Sequence, residues 1–125
     1  MSRVLTFKLG ANLQLPEPDW RPTVTFNPPP NTASDEVLAE GLVLYQDLCM
    51  GCHGLNAVSG LLIPDLRGSA LIHDQSAWDS IVRGGALRAK GMASFETELD
   101  EEQSDAIRAY IIQQAIRGQA IRAAQ

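Results

Sequence analysis

Two thiols and an imidazole stand close together in Cys49-Met50-Gly51-Cys52-His53. The order is Cys-x-x-Cys-His, the attachment signature of a c-type haem. Each residue has a task in that chemistry. Thiols three positions apart on one helical turn can add across the two vinyl groups of a single porphyrin, and the thioethers then fix its edge against the chain. His53, directly after the second thiol, places an imidazole under the iron. A thioredoxin-like dithiol would need a βαβ frame around the motif, and the flanking sequence has none. A closed zinc site needs four ligands, so two Cys and one His fall short.

An electron-transfer haem fills both axial positions, and a Met opposite the His raises the reduction potential. The chain has three methionines. Met1 is terminal, and Met50 lies between the two cysteines, from where its sulfur cannot reach the far face. Met92, in Gly91-Met92-Ala93-Ser94-Phe95, sits in a loop that can bring a thioether over the iron. Plain core filling is the commoner role of a Met, but given a haem the ligand is the favoured reading. His73, in Leu71-Ile72-His73-Asp74, is the rival ligand and reads as a surface His beside a carboxylate.

The elements that must position these groups follow from periodicity and caps. Ser34 is a cap, and Asp35 and Glu36 suit the positive end of a helix. Val37, Leu38, Gly41, Tyr45 and Leu48 recur at three- and four-residue steps and lead into Cys49. Gly41 inside that helix costs about 1 kcal/mol against Ala, which predicts the close approach of another helix. A loop follows from Leu55 to Leu66. Ser76 opens a short second helix with Trp78, Ile81 and Val82 inward, stopped by Gly84-Gly85. Residues 86 to 98 form the loop that holds Met92. The last helix starts near Asp100, buries Ala106, Ile107, Tyr110 and Ile111, and has Gly118 as a plausible stop.

Residues 3 to 9 alternate, with Leu5, Phe7 and Leu9 on one face, the pattern of a half-buried strand. The pairing partner would lie upstream. Residues 10 to 33 hold six of the seven prolines and predict an extended, stiff linker. A chain starting at residue 33 is therefore expected to keep its haem and most of its stability.

With 125 residues, 45% apolar and 20% charged, the chain is long enough for one core. The net charge of −5 and the lack of a basic run exclude nucleic acid as an expected partner. No stretch approaches the ~20 apolar residues that span a bilayer. The N-terminus does not read as a signal peptide. Haem attachment is normally completed outside the bacterial cytoplasm, so the chain is expected to be periplasmic. It would then begin inside a longer protein or follow a removed signal.

Gly41-x-x-x-Tyr45, Cys49-Met50-Gly51-Cys52-His53-Gly54, Ile63-Pro64-Asp65-Leu66-Arg67, Gly91-Met92-Ala93-Ser94-Phe95 and Ala109-Tyr110-Ile111 occur in the order seen in class I c-type cytochromes. Residues 34 to 118 resemble that family. The resemblance implies an all-α fold of three to five helices around one covalently bound haem c, with an extended N-terminal arm. It implies that Gly41 and Tyr45 cross the last helix near Tyr110. It implies that the Pro64 carbonyl orients His53 and that Met92 is the distal ligand.

The strand ending Phe7-Lys8-Leu9-Gly10 and the Pro-rich linker also resemble the end of a quinohaemoprotein alcohol dehydrogenase, in which a propeller carrying pyrroloquinoline quinone (PQQ) precedes a cytochrome domain. This implies residues 1–33 as arm and linker and 34–125 as the cytochrome domain. Electrons would come from the upstream PQQ dehydrogenase domain and leave to a periplasmic acceptor: a small copper protein, a cytochrome or a quinone-linked chain. No dehydrogenase catalysis is expected of this chain alone. Arg67 and Trp78 are the candidates for holding a haem propionate. The alternatives are a free-standing periplasmic cytochrome or, without Met92 ligation, a five-coordinate haem peroxidase or sensor.

Overall fold

The computed structural model describes residues 6, 8–10, 12, 14, 23–60 and 63–124. Four α-helices run in order: α1 (Asp35–Leu48), α2 (Met50–His53), α3 (Gln75–Val82) and α4 (Glu101–Ala123). Short 3-10 turns at Leu55–Ala57, Leu66–Gly68, Ala70–His73 and Arg88–Lys90 carry the chain between them. There is no strand among the described residues, as an all-α fold requires. Most of the strand expected at residues 3 to 9 lies outside the described residues, Leu5 and Phe7 included; Leu9, within a turn, is fully exposed.

The two long helices start where their caps predict. Ser34 Oγ accepts the Val37 N–H. Asp100 forms a full capping box: its carboxylate accepts the Gln103 N–H at 2.8 Å, and Gln103 Oε1 accepts the Asp100 N–H at 3.1 Å. α3 starts two residues earlier than expected. Asp74, rather than Ser76, is its cap and accepts the Ala77 N–H at 3.0 Å.

α1 and α4 cross at Gly41, and the crossing explains that residue. A Cβ there would collide with the Ala106 carbonyl and stand 3.1 Å from the Tyr110 Cβ. The Tyr45 and Tyr110 rings meet beside it with centroids 5.3 Å apart. Tyr45, Ile72, Trp78, Ile107, Tyr110 and Ile111 form the core here. Val37, expected on the inner face of α1, is exposed.

α4 does not stop at Gly118 but runs on to Ala123. Gly118 is a seat: a Cβ there would lie 2.8 Å from the Phe26 ring. Phe26 belongs to residues 23–33, which carry no helix, strand or turn. The linker expectation nevertheless needs correction for this stretch, because it does not stand off from the domain. The Phe26 ring lies between the guanidinium groups of Arg67 and Arg122, each 5.1 Å from its centroid. Arg122 also donates to the Val24 carbonyl. The Asn27 carbonyl accepts from His73 Nε2 at 2.7 Å, and Asn31 Nδ2 donates to the Ala109 carbonyl at 2.9 Å. These residues form a strap along α4, whose buried positions spread beyond one stripe to include Ile112, Gln114 and Ala115. A chain beginning at residue 33 is expected to keep its haem spectrum but to lose about 2 kcal/mol, from apolar burial plus two cation–π contacts, and to melt roughly 5 °C lower. Melting identical to that of the full chain would show that the strap contributes nothing.

Candidate haem site

The attachment motif sits at a break between helices. Cys49 is the C-cap of α1 and, at φ −114°, the residue before α2. The Cys52 and His53 N–H groups both donate to the Cys49 carbonyl, at 3.1 and 2.9 Å. Both thiols therefore stand on one turn, with Cys49 half-buried and Cys52 exposed. Burial, and then the neighbouring Cys52, push the Cys49 thiol up to about 12. Among the described residues, no group of three or more His, Cys, Asp or Glu is placed to hold a bare metal ion.

His53 is buried, and its Nδ1 lies 3.3 Å from the Pro64 carbonyl. A carbonyl only accepts, so Nδ1 is the donor, and in the neutral ring Nε2 keeps the lone pair. That is the tautomer a metal-bound imidazole needs, oriented by a backbone acceptor. Two tyrosines hold the turn that follows. Tyr45 Oη donates to the Gly54 carbonyl at 2.7 Å, and Tyr110 Oη to Asn56 Oδ1 at 3.3 Å. Burial raises both phenols above their usual range, which keeps them protonated donors. Asn56 and the fully buried Ala57 take positive φ, 56° and 61°. Such strain persists where neighbours over-determine it. Nothing in the residue types of 54 to 57 announced this conformation except Asn56, which tolerates it better than most.

Met92 is half-buried and packs against the core together with Phe95. The expectation for Arg67 and Trp78 was a haem propionate. In the structure Arg67 Nε and Nη2 and the Trp78 Nε1 have protein partners. Arg67 grips Asp65 with a fork, Nε to Oδ1 at 2.9 Å and Nη2 to Oδ2 at 2.7 Å. The Trp78 Nε1–H goes to Ser104, 3.1 Å from both its carbonyl and its hydroxyl, and that hydroxyl donates to Asp79 at 2.6 Å. The Asp65 fork closes the loop whose Pro64 carbonyl faces His53.

The donor set fits a haem c: two thiols on one turn, an imidazole with its lone pair free, and a thioether on a separate loop. Comparison with known proteins agrees. The sequence profile of the family described as Cytochrome C oxidase, cbb3-type, subunit III matches residues 36–111. The chain is 40% identical over 112 residues to the quinohemoprotein alcohol dehydrogenase ADH IIB of Pseudomonas putida, covering 89% of this chain and 16% of that protein. It is 36% identical to the dehydrogenase subunit of the alcohol dehydrogenase (quinone) of Gluconobacter oxydans, covering 91% of this chain and 15% of the relative. Cytochrome c550 of Pseudomonas aeruginosa is 32% identical, over 74% of this chain and 66% of its own. The chain thus spans about one-sixth of the length of the dehydrogenases it matches. No helix among the described residues is long and apolar enough to cross a membrane. The chain belongs to this family of c-type cytochrome domains, and it is an all-α electron-transfer protein that carries covalently bound haem c.

Proposed function

We propose that this chain is the electron outlet of a PQQ-dependent alcohol dehydrogenase in the periplasm. Cys49 and Cys52 hold the haem, and His53 and Met92 are its axial ligands. The observation that carries the reading is the 40% identity to a quinohemoprotein alcohol dehydrogenase over nearly the whole chain. Bound there, the haem iron supplies a one-electron couple; the protein sets its potential through the axial pair, burial and hydrogen bonds to the ligands. The Pro64 carbonyl fixes the tautomer and direction of His53. Arg67 holds the loop of Pro64 through Asp65, and Trp78 ties α3 to α4 through Ser104. In this reading residues 1–33 are arm and strap and residues 34–125 are the cytochrome domain.

The exchange surface is the edge next to the cysteines. Cys52 is exposed there, and Met50, Leu55, Val58 and Ile63, on α2 and the loop after it, are exposed apolar side chains. An uncharged rim lets a partner's cofactor approach closely, with little desolvation cost. The upstream domain delivers electrons from its reduced quinone, and a periplasmic copper protein, cytochrome or quinone-linked chain removes them. In the intact parent protein, an alcohol added without oxygen is expected to reduce the haem within turnover time. A quinone that is reduced while the haem stays oxidised would overturn the reading.

A further inference from the structure

We infer that Arg83 is a positioning residue for the distal ligand, holding closed the loop that carries Met92; the inference rests on the His53/Met92 reading. Arg83 follows α3 directly, and its backbone and side chain both reach the Met92 loop. Its carbonyl accepts the Ser94 hydroxyl. Its Nε donates to the Leu99 carbonyl at 3.1 Å, and Leu99 is buried. Its Nη1 stands 3.4 Å from the carboxylate of Glu101, in the first turn of α4. Just before it, the Val82 carbonyl accepts the Phe95 N–H at 2.9 Å.

Apart from the Ala86 N–H, which donates to the Ser80 carbonyl at 3.1 Å where the loop begins, the other bonds of the loop are local. The Lys90 and Met92 N–H groups both return to the Leu87 carbonyl, at 2.8 and 3.3 Å, and the Gly91 N–H to Arg88 at 3.1 Å. Such turns give the loop a shape but do not attach it to the fold. The attachment lies two to seven residues beyond Met92, at Ser94, Phe95 and Leu99, and Arg83 supplies two of its three contacts. The ion pair is the lesser part, because the Glu101 side chain is 78% exposed and exposed pairs contribute little. The bond to Leu99 weighs more: it is charge-assisted and part-buried, and without the guanidinium that carbonyl loses its side-chain donor. An open loop and a closed loop are two states of one equilibrium, and Arg83 contacts only the closed one.

The test uses the oxidised holoprotein and imidazole, which must displace the Met92 thioether to reach the iron. Its apparent affinity therefore reads how firmly the loop is shut. Arg83→Met keeps the apolar stem and removes the fork. It is expected to bind imidazole about tenfold more tightly than the parent, the loss expected for one charge-assisted hydrogen bond, and to weaken the long-wavelength charge-transfer band of the thioether–iron bond. Glu101→Gln, which removes only the ion pair, is expected to match the parent. An Arg83→Met affinity within about twofold of the parent's with an intact band, even at a lowered melting temperature, would make Arg83 an ordinary structural residue and end the inference. Should Arg83→Met not retain haem, Ser94→Ala carries the test: it removes the other contact, is expected to tighten imidazole binding severalfold, and overturns the inference if it does not. Met92→Ala separates the underlying reading. If it binds imidazole no better than the parent, Met92 is not the ligand, and the failure lies with the ligation rather than with Arg83.

Discussion

Replacing Met92 by alanine is expected to lower the reduction potential by on the order of 100 mV. A thioether opposite an imidazole favours the reduced iron, and at ~59 mV per decade that shift is close to two decades in the ratio of reduced to oxidised protein. Alanine also empties the volume that the Met fills beside Phe95, so some loss of stability accompanies the change. Packing loss alone would leave the potential unchanged. The measurement is a redox titration paired with carbon monoxide or imidazole binding. A lower potential with ready ligand uptake is the expected pair; an unchanged potential and spectrum would reduce Met92 to core filling and reopen the five-coordinate or His73-ligated alternatives. For His73 the structure already supplies another partner, the Asn27 carbonyl at 2.7 Å.

How much of this was legible beforehand depended on whether the signal was local. Cys49, Cys52 and His53 were readable because the bonding distances of the cofactor dictate their spacing. The caps Ser34 and Asp100 were readable because a cap acts on its own next turn. Even there the residue type misled once: Ser76 reads as a cap but lies inside α3, and Asp74, two residues earlier, accepts the Ala77 N–H. Gly41 announced a close approach through its local cost, and α4 arrived where the resemblance implied. Gly118 carried the same local signal and was misread as a stop, since a glycine near a helix end has two explanations. Its partner Phe26 is at the other end of the chain, in a segment whose prolines advertise extension and say nothing of what it lies against. Arg83 had no signature at all. Its role comes from two carbonyl contacts to a loop, and a backbone carbonyl has no residue type to read.

Gly41→Leu is expected to destabilise the protein by about 3 kcal/mol, at the upper end of overpacking effects, and to lower the melting temperature by roughly 10 °C. Two terms oppose each other. Leucine is the better helix former by roughly 0.8–1 kcal/mol, which in an isolated helix would stabilise. Against that, the first carbon of any side chain at position 41 meets the Ala106 carbonyl and crowds the Tyr110 Cβ. The obstacle is backbone, so no rotamer escapes it, and α1 must lift away from α4. Lifting separates the Tyr45 and Tyr110 rings, now 5.3 Å apart, and pulls on the bonds from those tyrosines to Gly54 and Asn56. The turn after His53 is held by these bonds, so the damage reaches the haem side of the molecule. Gly41→Ala, which adds the one offending carbon and little else, is the sharper variant. Its propensity gain is of the same size as leucine's, yet it too is expected to be destabilised. Thermal unfolding of both variants in the holo form decides the matter. If Gly41→Ala melts above the parent protein, propensity has won, and the crossing is looser than this contact requires.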